Sequence, residues 1–227
     1  MVADLPAELR DGLAAALDAV PVERLAGRSA APALRSAQWQ PWRISPDAAV
    51  PAANLVTISY VLGELPPPTR AAIVARAAQS AAVVVVVEAG TPAGYQRIVD
   101  ARDALIGHGL TVLAPCPHQR PCPLAGTRDW CHFAARVNRS PLHRRLKAAT
   151  LGHEDEKYSY VAAVQGAGAP APGRILRHPE FSKGLVSLQV CQERDGVAPV
   201  LVSKRQGDLY RQARDAQWGD AWPTPDC

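Results

Sequence analysis

Apolar residues fall into two rhythms along the chain. Asn54–Tyr60 (NLVTISY), Val83–Val87 (five valines in a row) and Leu110–Leu113 are short runs rich in β-branched residues and predict strands. Apolar on both faces, the valine run predicts a fully buried strand of a parallel sheet. Between these runs, residues from Thr69 to about Ser80 and residues 92–108 carry helical spacing, with Pro66–Pro68 breaking the chain and Thr69 placed as a cap. Strand, helix, strand, helix, strand predicts a doubly wound α/β domain.

Outside this block the pattern is looser. Residues 4–19 predict an amphipathic helix with Leu9, Leu13 and Leu17 along one side and Asp4 as cap, whereas residues 20–50 show little pattern. Tyr158–Val164 predicts a further strand, and residues 185–191 and 198–203 an antiparallel pair around Arg194-Asp195-Gly196. The segment QGAGAPAPG (165–173) predicts a turn or linker, and DLYRQARDAQWGDAWP a short helix with an aromatic end. The organisation expected is an N-terminal helical region over 1–50, an α/β domain over 51–223 interrupted by an insertion at 114–147, and a tail at 224–227. No internal repeat is present.

Composition narrows the class. The chain is 48% hydrophobic and 20% charged, as expected of a soluble globular protein. Its net charge of +4 mildly favours an anionic partner. The longest apolar run, Ala81 to Val87, is too short to span a bilayer. The N-terminal sequence does not read as a signal peptide, so a cytoplasmic, reducing setting without a membrane is expected. In such a setting clustered cysteines read as ligands rather than disulfides.

Three of the five cysteines crowd into APCPHQRPCPLAGTRDWCHF, at Cys116, Cys122 and Cys131, and Cys191 ends the strand-like run LVSLQVC. Pro115, Pro117, Pro121 and Pro123 make the first segment an irregular loop. Four thiolates suit either a tetrahedral zinc or an iron–sulfur cluster. The uneven spacing and lack of paired CxxC hooks lean toward the cluster. His118 and His132 are alternative fourth ligands. Cys227, the last residue, is set aside.

The loop also carries charge. Between Cys131 and Lys147 there is no acid, while Arg136, Arg139, Arg144, Arg145 and Lys147 follow one another. A second basic group includes Lys183, Lys204 and Arg205. Such clusters attract phosphates through charge and counterion release, and Trp130, Phe133, Trp218 and Trp222 offer rings for stacking or for the core. The VQGAG turn (164–168) superficially matches a nucleotide-binding glycine loop, but APAPG follows where a helix should begin. No P-loop, HExxH or GxSxG motif occurs.

Several stretches agree in order with one family: NLVTISYVLGELP (54–66), VVVVEAGTPAGYQRIVDARDALI (84–106), the cysteine segment 114–147, HEDEKYSYVAAV (153–164), RILRHPEFSKGLVSLQVC (174–191) and VSKRQGDLYRQARDAQWGDAWP (202–223). Over residues 54–223 the chain resembles the methyltransferase-like proteins of the mitochondrial small ribosomal subunit and their bacterial relatives. The resemblance implies a class I methyltransferase-like, Rossmann-like α/β sheet, and a role in small-subunit assembly or translation with rRNA and the small subunit or its precursor as partners. It also implies a [4Fe–4S] cluster on Cys116, Cys122, Cys131 and Cys191, with zinc the alternative. The family's strand and glycine-rich S-adenosylmethionine loop have no counterpart in RSAAPALRSAQWQPW (28–42). The sheet is therefore expected to be incomplete at its N-terminal half and the chain to be a non-catalytic rRNA-binding factor. The alternatives are an S-adenosylmethionine-dependent rRNA methyltransferase, with Glu64 near its cofactor or substrate, a zinc-binding RNA module, or an inactive truncated product.

Overall fold

The computed structural model describes residues 42–139, 144–145 and 150–223. The chain divides into two compact units, Met1–Ile44 and Ser45–Cys227. The helix expected over 4–19 lies outside the described residues, as do Lys147 and Cys227. The account below concerns the second unit.

Its first layer is a mixed sheet flanked by helices. Strand β1 (Ala53–Ser59) leads through a 3₁₀ turn (Leu62–Glu64) into helix α1 (Pro67–Ser80). Strand β2 (Ala81–Ala89), helix α2 (Pro92–Gly107) and strand β3 (Leu110–Ala114) follow. Strands β4 (Phe133–Asn138) and β5 (His153–Gln165) complete the sheet. The order is β1-β2-β5-β3, with β4 also on β5. The β1–β2 pair is parallel, while β5 runs antiparallel to both β2 and β3. Strand β4 is antiparallel to β5 as well, so four strands run one way and β5 is inserted against them. The architecture is α/β, Rossmann-like and methyltransferase-like.

The valine run of β2 departs from expectation. Val84, Val86 and Glu88 are buried, whereas Val83, Val85 and Val87 are only half-buried. One face packs under α1 and α2, which bury Ile73, Val74, Ile98, Ala101 and Leu105. The other face is incompletely covered. A valine run reports β propensity and apolarity, and neither tells how many faces are covered. Glu88 enters the buried face as a latch, accepting hydrogen bonds from the Leu62 N–H at 2.9 Å and from Arg97 Nε at 2.8 Å.

The second layer is a small antiparallel sheet. Strands β6 (Gly173–Ile175), β7 (Glu180–Ser182), β8 (Leu185–Gln192) and β9 (Gly196–Ser203) surround β8. Helix α3 (Asp208–Asp215) closes its core of Ile175, Val186, Leu188, Val190, Val202, Ala213 and Trp222. The expected 185–191/198–203 pair is present as β8–β9, registered from Leu185↔Ser203 to Gln192↔Gly196. The QGAGAPAPG segment is a turn: Gly166 has φ 81 and no helix follows before β6.

The insertion is not one loop. Its second part is β4, registered from Phe133↔Tyr158 to Asn138↔His153. Both β3 and β4 lie on the same edge of β5, at Ala162 and Tyr158 respectively. The two ends of the cysteine loop are thus held about 13 Å apart, four residues along one strand at roughly 3.3 Å each. HEDEK extends β5 beyond the expected Tyr158 start. Its charge hides a strand whose faces are mostly solvated.

Candidate metal centre and basic surface

The cysteine loop has no regular structure, so side chains satisfy its backbone. Gln119 pairs with the Val112 peptide: the Val112 N–H donates to Oε1 at 2.9 Å and Nε2 donates to the Val112 carbonyl at 2.8 Å. Arg102 of α2 donates to the carbonyls of His118 and Arg120, at 3.0 and 2.5 Å. Arg174 Nε donates to the Pro115 carbonyl, Trp130 Nε1 to the Gly90 carbonyl and Ser159 Oγ to the Cys131 carbonyl. Clamps from α2, β5 and β6 thus fix the loop along its length.

This pinning brings Cys116, Cys122, Cys131 and Cys191 to the wall of one apolar cavity of about 30 Å³, alongside Arg102, His118, Tyr160 and Leu176. All four are free thiols. Cys191 shows how the second sheet contributes. On β8, Val186, Leu188 and Val190 face the α3 core, and Cys191, one step out of that alternation, is buried as well. It is buried because its own face meets the cysteine loop, packing with Leu124, Phe133 and Leu176.

Burial favours the protonated form of Cys116, Cys131 and Cys191. Burial pushes Cys131 well above the ordinary thiol value and Cys116 above it, and the neighbouring cysteines add to the rise. Cys191 is pushed up to about 12 by burial, then by Cys116 and Cys122. Cys122 contributes to the rise at each of the other three, so the four sulfurs share one electrostatic site. Removing their protons requires a cation that offsets the charge. The donor set therefore fits a thiolate-bound metal group. Among the described residues, no three or more His, Cys, Asp or Glu are arranged to hold a single metal ion.

The alternative ligands separate. His118 is buried, lines the cavity, and has Nε2 4.0 Å from Cys191 Sγ. His132 instead stacks on Trp130 and meets the edge of Trp218, each with ring centroids 5.1 Å apart. Burial lowers the pKa of both histidines. Sequence reasoning missed two contributors from α2. Tyr95 places its hydroxyl 3.2 Å from Cys122 Sγ, and Arg102 is 2% exposed. Nothing but their helical register toward the loop would have signalled them.

The candidate RNA residues divide into two places. On β4, Arg136 pairs with Asp155 through 2.8 and 3.1 Å hydrogen bonds, and Arg139 with Glu154 at 2.7 Å. The stretch that is free of acids in sequence therefore faces acids of β5 in space. Arg144 and Arg145 are exposed. Lys183, Lys204 and Arg205 are brought together: the Lys204 N–H donates to the Gly184 carbonyl at 2.9 Å, joining the β7–β8 turn to the 3₁₀ turn after β9. All three are exposed, and no ion pair to them is present among the described residues. Of the aromatics, Phe133 and Trp222 are buried, Trp130 and Trp218 half-buried, and Glu64 is exposed.

The model of the mitochondrial small ribosomal subunit Rsm22 family matches residues 15–223. The chain belongs to the Rsm22 family. It is also similar to the human mitochondrial ribosome assembly protein METTL17, with 31% identity over 155 residues, which is 61% of this chain and 32% of that protein. The chain thus spans about a third of the relative's length. Membership of the family accords with the methyltransferase-like sheet. Among the described residues, no helix is long and apolar enough to cross a membrane.

Proposed function

We propose that this Rsm22-family chain is a non-catalytic small-subunit assembly or translation factor. It binds rRNA and carries a structural [4Fe–4S] cluster on Cys116, Cys122, Cys131 and Cys191. The observation that carries the reading is the convergence on one cavity of four free thiols, three half-buried from the loop and one buried from β8. When bound, the group supplies a cross-link between the irregular loop and the second sheet. Iron and acid-labile sulfide, about four of each per chain, are expected in protein purified anaerobically, and Cys191→Ser should lose both. One zinc and no sulfide would refute the cluster.

The rRNA contact is assigned to two basic places. Lys183, Lys204 and Arg205 form the one without ion pairs among the described residues, with Phe181 exposed on the adjoining strand β7 to offer a stacking face. Arg144, Arg145 and Lys147 continue the charge of β4, where Arg136 holds Asp155 in an exposed pair of small energetic weight and Arg139 holds Glu154 in a more buried one. Replacing Lys183, Lys204 and Arg205 together with Ala should weaken binding to small-subunit rRNA. It should also flatten the slope of log affinity against log salt by about two units, at roughly 0.7–0.9 per phosphate contact. The same test on Arg144, Arg145 and Lys147 apportions the two places. Unchanged affinity and slope in both variants would remove this surface from the reading. The non-catalytic assignment predicts no saturable heat when S-adenosylmethionine is titrated calorimetrically. Tight binding would favour a methyltransferase instead.

A further inference from the structure

Arg102 is the most completely buried large side chain of the second unit that carries a charge. Its carboxylate partner among the described residues, Asp103, is 58% exposed, so solvent weakens that pair. Two of its hydrogen bonds go to the carbonyls of His118 and Arg120, both between Cys116 and Cys122. Its Nε is buried and has no hydrogen-bond partner among the described residues. A cation in an apolar cavity costs several kcal/mol or more on the order-of-magnitude scale for buried ions, unless an anion faces it. Here the cavity is lined by the four cysteines and by no carboxylate among the described residues. Tyr95, about two helical turns earlier on α2, adds a hydroxyl at 3.2 Å from Cys122 Sγ.

We propose that Arg102 and Tyr95 are positioning residues for the cysteine-held centre. Arg102 supplies the buried positive charge and the clamp that make the cavity accept a net anionic, thiolate-bound group, and Tyr95 donates a hydrogen bond to the Cys122 sulfur. The proposal rests on the cluster reading above. Hydrogen bonds and cations beside ligating sulfurs stabilise the more negative, reduced state and so raise its reduction potential.

The test is an anaerobic redox titration, followed by electron paramagnetic resonance, of iron-loaded wild type, Arg102→Gln, Arg102→Lys and Tyr95→Phe. Circular dichroism melts of the metal-free forms are recorded in parallel. Arg102→Gln should shift the potential to more negative values or fail to retain iron and sulfide. Arg102→Lys, which keeps the charge but loses the fork, should fall between it and wild type. Tyr95→Phe should keep the cluster with a smaller shift of the same sign. Loss of iron from both arginine variants supports the proposal if their metal-free forms melt with the wild type. If those forms are already unfolded, Arg102 serves the fold and the proposal fails for it. Three loaded variants with the wild-type potential overturn the proposal while leaving the cluster reading intact. A wild type without iron and sulfide overturns the reading itself, and the proposal with it.

Discussion

Replacing Gly94 with Ala tests how the turn between β2 and α2 holds the helix that faces the cysteine cavity. Gly94 is in the first turn of α2, and its N–H donates to the capping Thr91 Oγ1 at 3.1 Å. A Cβ there would stand 2.0 Å from the Ala89 carbonyl oxygen and 3.0 Å from its carbon. Both are backbone atoms, so no rotamer change relieves the contact and the helix start must move. On helix propensity alone the substitution stabilises by about 1 kcal/mol. Against that, overpacking costs about 2–3 kcal/mol, and disturbing the Thr91 cap costs about 1 kcal/mol more. The net is a destabilisation of about 2–3 kcal/mol. With a urea m value near 2–3 kcal/mol/M, the unfolding midpoint should fall by about 1 M at unchanged m. Gly107→Ala is the control, since that glycine is the last residue of the same helix and a Cβ meets nothing within 4 Å. It should be neutral or gain up to about 1 kcal/mol. A Gly94→Ala midpoint equal to or above that of wild type would refute the packing argument.

Other consequences follow from buried groups. Glu88→Gln keeps the shape of the latch but removes the charge facing Arg97. Because Arg97 is partly solvated, the loss should be about 1–3 kcal/mol in urea unfolding, and no change in midpoint would show the pair to be neutral. Leu188→Ala should cost about 2–5 kcal/mol. Since Leu188 faces away from Cys191 on β8, iron loading at low temperature should persist, and loss of iron would show the two faces to be coupled. His132 has its pKa lowered, first by burial. A depressed folded-state pKa contributes stability that is present above about pH 6.5, the unfolded value, and lost as pH falls through the folded one. Melting temperatures of the metal-free protein should therefore decline from about pH 6.5 downward, and less so in His132→Phe; identical pH profiles would refute this.

The sequence by itself determined the local elements and the chemical inventory. β-Branched runs and helical spacing fixed β1, α1, β2, α2 and β3 to within two residues, because propensity and periodicity are properties of short windows. The β8–β9 hairpin was legible from its alternation and its Asp-Gly turn. The four cysteines stood out because thiols in an irregular proline-rich loop have no packing reason to cluster. What the tertiary structure alone decided is pairing across distance. It set β5 antiparallel between β2 and β3, and left the second face of the valine run half covered. It also turned part of the insertion into a strand whose arginines meet the acids of HEDE. A one-dimensional window showed Arg136 and Arg139 without acids, whereas hydrogen-bond register placed Asp155 opposite Arg136. Arg102 and Tyr95 belong to the same class: their roles come from one helix docking over one loop, a contact that no local pattern encodes.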